Sequence, residues 1–419
     1  MKTANARSVS APNREHDRGG ITHSLRVYRA FRLLLLGTLA TNTAFWMYQV
    51  AVGWLALQLL DSPLFVGITG FAGGIPLLFF ALPAGVVVDR YDRRTILLSA
   101  QCGVLILAAI MAWLVASGGI APWSVVLLVI AYGSVMSFVF PTRTTVATTL
   151  VAREDVANAI ALNAAAQNAT RVTGPAVAGI MIATQGIAPT FAVAALLQIF
   201  ALAATFRLPA REDGFAAPAT SILKDLTVGM RAVVHDATLL RVVLLAFATN
   251  VLVMPYLNLM PVFARDELHI GSSGLGLLLA CVGSGTVVGA LWVAHSRRLG
   301  EKPLLHAATA AAFALLVLVF ALSRNVQIAV PLLFASGITS AIFLALAQTV
   351  MQLRVDDNLR GRVMSIYQLT WGLLPIGQLV VGAGADSIGT PFAVAAACLT
   401  ALAFIGAVVR WTPSPVSVH

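Results

Sequence analysis

The sequence predicts an all-α integral membrane protein, a bundle of twelve helices in two pseudo-symmetric halves of six. Three observations carry that prediction. Of 419 residues, 59% are hydrophobic and only 11% charged, with a mean hydropathy of +0.88; a soluble chain carries roughly a quarter charged residues. The apolar residues form unbroken runs of membrane length rather than alternating every second residue, which excludes a β-barrel. Basic residues collect on alternate turns between those runs. In hydrocarbon the backbone must satisfy its own hydrogen bonds, so each run is a helix.

The chain opens with a polar tail, residues 1–30, carrying Lys2, Arg7, Arg14, Arg18, Arg26 and Arg29. No small-residue cleavage site follows a short apolar core, so the tail is expected to be disordered and cytoplasmic, with the first span directing insertion. Six spans follow near Phe31–Leu60, Leu64–Val88, Thr95–Ser117, Pro122–Pro141, Val156–Thr184 and Ile187–Leu208, making a first half over 31–208. Residues 209–236, with Arg211, Glu212, Asp213, Lys224, Asp225 and Arg231, read as a cytoplasmic linker with room for a short surface helix. The second half, 237–411, holds spans near Leu239–Ala264, Gly274–His295, Leu304–Leu322, Val326–Leu346, Val363–Ala385 and Pro391–Trp411, before a short tail over 412–419.

Charge sets the orientation. Of the 27 Lys+Arg, Arg171 falls in the interior of a span, and Arg265 and Arg324 fall on turns after odd-numbered spans; the others lie on tails, on turns after even-numbered spans, or at the span ends that adjoin these. This bias predicts that both termini are cytoplasmic. The opposite side carries Asp61, Asp266, Glu267 and Asp386. The net charge of +10 is thereby a matter of topology, and no nucleic-acid partner is expected.

The halves echo one another about 200 residues apart. Arg153-Glu154-Asp155 precedes the fifth span, and Asp356-Asp357 with Arg360 and Arg362 precedes the eleventh. Each of these spans carries a mid-helix proline, Pro175 with Gly174 before it, and Pro375, where a helix break is expected. Each is followed by nearly the same words, Pro189-Thr-Phe-Ala-Val-Ala-Ala and Thr390-Pro-Phe-Ala-Val-Ala-Ala. Duplicated six-span units build many transporters, with a binding site between the halves.

The polar residues inside spans are the candidate site. Asn163, Gln167 and Arg171 share one face of the fifth helix. Arg171 lies about 22 Å along it at 1.5 Å per residue. A mid-membrane arginine costs about 2.5–3.5 kcal/mol on insertion scales and should face a cavity or a partner. It reads as a contact for an anionic or polar substrate, or alternatively as a structural cap on carbonyls near Gly174-Pro175. Asn42, Trp46, Gln49 and Gly53 align on the first span, Asn250, Met254 and Asn258 on the seventh, and Tyr367, Trp371, Pro375 and Gln378 on the eleventh. Such stripes suit an amphipathic ligand; interhelix hydrogen bonding is the alternative.

The stretch Gly85-x-x-x-Asp89-Arg90-x-Asp92-Arg93-Arg94 packs two acids and three arginines onto a very short turn between apolar helices. It reads as a gate or hinge, or alternatively as a plain topology signal. Cys102, Cys281 and Cys398 lie in apolar runs without metal spacing and are expected to be buried, reduced thiols. Gly283-x-Gly285-x-x-x-Gly289 lies within a span, so it reads as helix packing rather than a nucleotide loop. With no phosphate loop, His-Glu-x-x-His or paired-cysteine motif, an ATP-driven pump is excluded within this chain. No catalytic residue, metal or cofactor is expected.

Gly85-x-x-x-Asp89-Arg90-x-x-Arg93-Arg94 resembles the signature between spans two and three of the major facilitator superfamily, with Asp92 replacing a glycine that most members have. Ser62-Pro63-Leu64, Asn158-Ala-Ile-Ala-Leu-Asn163 ahead of Arg171-x-x-Gly174-Pro175, and Leu359-Arg360-Gly361-Arg362-Val363-Met364-Ser365 resemble its enterobactin-exporter-like branch, also called transmembrane secretion effectors. The resemblance runs from about Phe31 to Trp411. It implies a major-facilitator-type bundle working by alternating access, most often exporting a small molecule across a bacterial inner membrane by antiport against protons. It also implies that Asp89 binds the other half and a helix N-terminus there, holding the inner gate shut. The expected partners are the lipid bilayer, a small amphipathic substrate (drug, siderophore or metabolite) and protons as coupling ion, with the chain acting as a monomer. A solute importer or lysolipid flippase of the same fold is the alternative, and a non-transporting scaffold or sensor a further one. One departure stands out: the branch commonly places Gly-Asp before the aromatic at Trp46, where this chain has Ala44-Phe45. None of the 17 Asp+Glu maps to a span interior, leaving Asp61, Asp386 or the substrate's own charge to carry coupling.

Overall fold

The computed structural model describes residues 23–209, 222–295 and 303–411. The basic tail up to residue 22, the linker from 210 to 221 and the tail 412–419 lie outside the described residues. The described residues form twelve spans, with no strand among them. The first half comprises α1 (Arg29–Leu60), α2 (Pro63–Arg90), α3 (Arg93–Ala116), α4 (Pro122–Thr149), α5 (Val156–Gln185) and α6 (Ile187–Phe206). The second comprises α7 (Ala237–Glu267), α8 (Gly271–His295), α9 (Pro303–Leu322), α10 (Val326–Arg354), α11 in two pieces (Asp357–Gly372 and Leu374–Ile388) and α12 (Thr390–Trp411). Eleven spans are long and apolar enough to cross a membrane by themselves. The twelfth, α5, is too polar, because Asn158, Asn163, Gln167, Asn168 and Arg171 interrupt its hydrocarbon. The linker closes with a surface helix, Ile222–His235, whose Gly229 lies against the Arg362 carbonyl of α11.

The turns are short, and their chemistry repeats. Ser62, Asp92, Asp236 and Asn325 cap helices by accepting backbone N–H groups that the first turn leaves free. Gly186 (φ 94°) joins α5 to α6 and Gly389 (φ 89°) joins α11 to α12, the same device at equivalent points of the two halves. A left-handed backbone favours glycine at both.

Small residues bring the helices together, as expected where lipid tails leave no hydrophobic drive between helices. Gly133 of α4 lies against the Gly73 carbonyl of α2, and Gly285 of α8 against the Phe334 carbonyl of α10, equivalent pairs in the two halves. Gly289 likewise faces Ile338. In the first half, Tyr48 of α1 stacks on Tyr132 of α4 with centroids 3.8 Å apart, and Phe191 of α6 closes on Tyr48 edge-on at 5.2 Å.

Three expectations are corrected. Helix α4 continues past Pro141 to Thr149, so Arg143 is not on a turn. It is buried at 3% exposure and donates to Leu34 O at 3.4 Å, Thr38 Oγ1 at 3.2 Å and Thr41 Oγ1 at 3.0 Å on α1. A membrane helix tolerates proline when neighbouring groups satisfy the freed backbone, so Pro141 did not mark an end. Arg241 is likewise buried, within α7. The three cysteines are free, but only Cys398 is buried; Cys281 is intermediate and Cys102 exposed on α3.

Candidate functional site

The halves meet along two seams. On the first, α2 crosses α11. A β-carbon added to Gly67 would fall 2.8 Å from the Gln378 carbonyl and 3.0 Å from Gly382 Cα, and Gly74 abuts Pro375. On the second, α5 crosses α8, with Gly179 against Ser272 and Gly276. Both seams lie toward the end of the bundle that carries the Asp61, Gly186, His269 and Gly389 turns, here termed the closed end. Polar links reinforce it. Arg265 of α7 bonds Asp61, the C-cap of α1, donates to Leu57 O at 3.3 Å and holds Asp266 at 2.5 Å. Ser62 donates to Asp386 at 2.7 Å. Asn258 of α7 donates to Val66 O of α2 at 2.8 Å.

Toward the end at which α1 begins and α12 ends, the contacts between α2 and α11 thin out. Leu78 of α2 still faces Gly372 of α11, but among the described residues nothing lies within 4 Å of a β-carbon at Gly85 or Gly361. This is the open end.

Between the seams lies a cavity of about 330 Å³ built from both halves. Helix α1 contributes Phe45, Trp46, Gln49 and Gly53; α5 contributes Arg171 and Pro175; α11 contributes Trp371 and Gln378. Helix α7 supplies Met254, Tyr256, Asn258 and Pro261, and α8 and α10 add Gly283, Thr286 and Ser340. Arg171 is the one charged residue in these walls. Its guanidinium sits 5.9 Å from the Trp46 ring centroid, within cation–π range. Among the described residues, no carboxylate pairs with Arg171.

Helix α7 reaches the cavity because it is not a continuous α-helix. After Ala248 it widens into a π turn (Thr249–Val253), tightens to a 3-10 turn (Met254–Leu257), and resumes as α only over Met260–Val262. Pro255 and Pro261 each lack the N–H that a regular helix needs, and such irregular turns recur at functional sites. The sequence reading missed this interruption, although the two prolines six residues apart signal it.

Of the expected cavity residues, Trp46, Gln49, Arg171, Asn258 and Trp371 line this space. Asn42 is buried at 4% and Tyr367 at 1%, both outside the walls. Asn250 donates to Thr370 Oγ1 at 3.0 Å, pinning α7 to α11; at these positions helix–helix packing takes the side chain. Gln167 is half-buried on α5 and also stands outside the walls. Phe45 and Tyr256 were overlooked, since an aromatic in an apolar run gives no signal of which neighbour it faces.

The expected break at Gly174-Pro175 is corrected: α5 is continuous from Val156 to Gln185. Gly174 instead admits α1, since a β-carbon there would lie 2.6 Å from Trp46 Cβ. At Pro375 the chain does divide, at Leu373, between the two pieces of α11.

In the charged turn after α2, Asp92 and Arg94 make contacts within their own half. Asp92 caps α3, accepting from Thr95 N at 2.8 Å, Thr95 Oγ1 at 2.6 Å and Arg94 N at 3.4 Å. Partial burial pushes its carboxyl up, but the Thr95 and Arg94 hydrogen bonds outweigh this and hold it below its ordinary value. Arg94 donates to Phe206 O at 2.5 Å and lies over the Phe206 ring at 5.4 Å, tying α3 to the end of α6. The acceptor is a terminal carbonyl of α6, of the kind the last turn of a helix leaves without an intrahelical partner. Arg90 is exposed and Arg93 half-buried; the Asp89 side chain lies outside the described residues.

Two six-helix halves around a shared, mostly apolar cavity, closed at one end and open at the other, have the architecture of a membrane transporter. The chain belongs to the transmembrane secretion effector family, within the major facilitator superfamily; the family profile matches residues 24–415. It is similar to the enterobactin exporter EntS of Shigella flexneri, 27% identical over 389 residues and covering 91% of each chain. It is also similar to the staphyloferrin A transporter of Staphylococcus aureus (strain NCTC 8325 / PS 47), 23% identical over 353 residues, 82% of this chain and 86% of the relative. Among solved structures, a point mutant of the nucleoside transporter NupG superposes with a TM-score of 0.76 at 12% identity, covering 92% of this chain and 100% of that one. A bacterial homologue of the human lysosomal transporter Spinster, inward-facing and unoccupied, gives 0.72 at 15% identity, over 93% of this chain and 99% of that one.

Proposed function

We propose that this transporter is a secondary active exporter of an amphipathic, anionic small molecule, with both termini in the cytoplasm, so that the open end faces inward. The carrying observation is the cavity's charge pattern: one guanidinium, Arg171, set on Trp46 among aromatic and amide walls with no carboxylate beside it. An anion with an aromatic or aliphatic body matches that wall, since a cation within the bundle and without a partner is costly, and a bound carboxylate or catecholate-type oxyanion relieves it. The siderophore transporters among its relatives support cargo of this class. The charge bias of the turns supports the orientation.

Drive follows from the same charge. A cell interior negative by 100 mV contributes about 2.3 kcal/mol per anionic charge moved outward, roughly a fifty-fold gradient at 1.4 kcal/mol per tenfold. Coupling to a proton gradient adds to this through the carboxylates at the closed end, Asp61, Asp266 and Asp386, because no acid lines the cavity. Asp89 fits a latch for the opposite conformation, in which the open end closes and brings α2 toward the start of α11.

A susceptibility and accumulation screen of a deletion strain against antibiotics, dyes and siderophores tests transport and substrate class together. Anionic amphipathic compounds are expected to accumulate in the deletion strain and to be cleared on complementation by wild type but not by Arg171→Ala. Sensitivity confined to cationic dyes overturns the reading.

A further inference from the structure

Asn258 is at once a wall of the cavity and a tie between the halves. Its Nδ2 donates to the main-chain carbonyl of Val66 on α2 at 2.8 Å; only the NH2 side of the amide can satisfy a carbonyl, so its orientation is fixed. Gly70, one turn further along α2, leaves the space in which it sits: a β-carbon there would lie 2.5 Å from Nδ2. The other ties at the closed end, Arg265 to Asp61 and Ser62 to Asp386, lie at the exposed rim. Asn258 reaches the seam from within the cavity.

We infer that Asn258 is the positioning residue that couples cavity occupancy to the closed end: cargo presenting an acceptor to its amide draws it off Val66 and releases α2 from α7. This rests on the cavity being the cargo site. Two features let the exchange run. The Val66 carbonyl also accepts the Thr69 hydroxyl at 2.8 Å, so it is not left orphaned when Asn258 departs. Asn258 itself lies between the 3-10 turn Met254–Leu257 and the short α piece Met260–Val262, where the backbone of α7 is not locked in a regular ladder and can hinge. The released amide needs a new acceptor, and a bound oxyanion supplies one.

The test places spin labels at Ser117→Cys and Arg324→Cys, on closed-end turns of opposite halves, in full-length protein in lipid nanodiscs with Cys102, Cys281 and Cys398 replaced by alanine. Double electron–electron resonance then reads the separation of the halves. The probe is 2-naphthoate, whose binding is read separately by quenching of tryptophan fluorescence. Without probe, Asn258→Ala is expected to raise the long-distance population about fivefold, the ratio set by losing one neutral hydrogen bond. Gly70→Ala, which crowds the amide off Val66, is expected to do the same from the other side of the contact. Probe is expected to lengthen the wild-type distances and to add nothing in Asn258→Ala. Unchanged probe-free distances in both variants, or equal probe responses in wild type and Asn258→Ala, overturn the inference. If 2-naphthoate fails to quench wild type, the cargo-site reading falls, and the probe-free comparison alone decides the latch.

Discussion

The main-chain carbonyl of Arg171 lies against Gly283 across the interface of the two halves: a β-carbon at position 283 would sit 2.7 Å from that oxygen. Pro175, four residues on, has no N–H to offer it, so the ladder of α5 supplies this carbonyl no i+4 donor. The motif Gly283-x-Gly285-x-x-x-Gly289 therefore serves two neighbours. Gly283 faces α5 of the other half, while Gly285 and Gly289 face α10 of its own. Gly283→Ala is expected to destabilise the conformation in which the closed end is shut and to lower efflux from cells more than tenfold. Maleimide labelling of a cysteine placed at Ser272, buried at 7% in the α5–α8 seam, rising in the variant, checks the cause.

Gly85 gives the opposite pattern. Among the described residues nothing lies within 4 Å of a β-carbon there, so Gly85→Ala is expected to leave the thermal stability of this conformation unchanged, within about 0.5 kcal/mol. If Gly85 belongs to the gate of the alternate state, transport nonetheless slows. Parallel measurement of melting in detergent and efflux in cells separates the two effects.

Arg171 carries the charge of the cavity. Arg171→Ala is expected to weaken binding of an anionic cargo about 10–100-fold, the range of a charge-assisted hydrogen bond at about 1.5–3 kcal/mol. Arg171→Lys keeps the charge but loses the planar face set against Trp46, and should fall between the two. Equilibrium binding to purified protein checks the order.

The Asp61–Arg265 tie is exposed, its side chains 80% and 30% accessible, so it contributes about 0.2–1 kcal/mol and is screened by salt. Asp61→Asn should open the closed end less than about fivefold, and an effect seen at low ionic strength should shrink at about 0.5 M salt. Spin-label distances across the closed end read both.

Asp92→Ala removes the cap of α3 and is expected to cost about 1 kcal/mol. Because the folded carboxyl is held below its ordinary value of 3.8, the carboxylate's extra contribution is complete above that value and disappears as pH falls through the lower, folded one. Asp92→Asn keeps an accepting oxygen and should recover most of the loss at neutral pH. Thermal melting at pH 7 and at pH 3 checks the sign.

The helices were legible because hydrocarbon length and backbone satisfaction leave a membrane chain one answer. Turn chemistry and charge placed most of their ends to within a few residues; the exceptions are Pro141, where a membrane helix runs through a proline that a soluble helix would end at, Leu346, beyond which α10 runs on to Arg354, and Val363, ahead of which α11 already begins at Asp357. The cavity was legible in part. Trp46, Gln49, Arg171, Asn258 and Trp371 stood out as polar or amphipathic residues on helix faces. Asn42, Asn250 and Tyr367 stood out equally, yet point into helix contacts, because spacing gives a face but not the neighbour it meets.

By itself, then, the sequence determined an all-helical membrane bundle of two repeated halves, the turn that carries Asp89 and Arg90, and the cost that sends Arg171 toward a cavity. Tertiary structure alone decided which end is shut, that α7 unwinds beside the cavity, that Arg94 ties α3 to α6, and that Arg143 is held by hydroxyls of α1. The reason is physical. Helix formation is settled within one segment, by composition and backbone hydrogen bonding. The seams depend on pairs such as Gly283 with the Arg171 carbonyl and Asn258 with the Val66 carbonyl, more than a hundred residues apart, whose meeting no local pattern encodes.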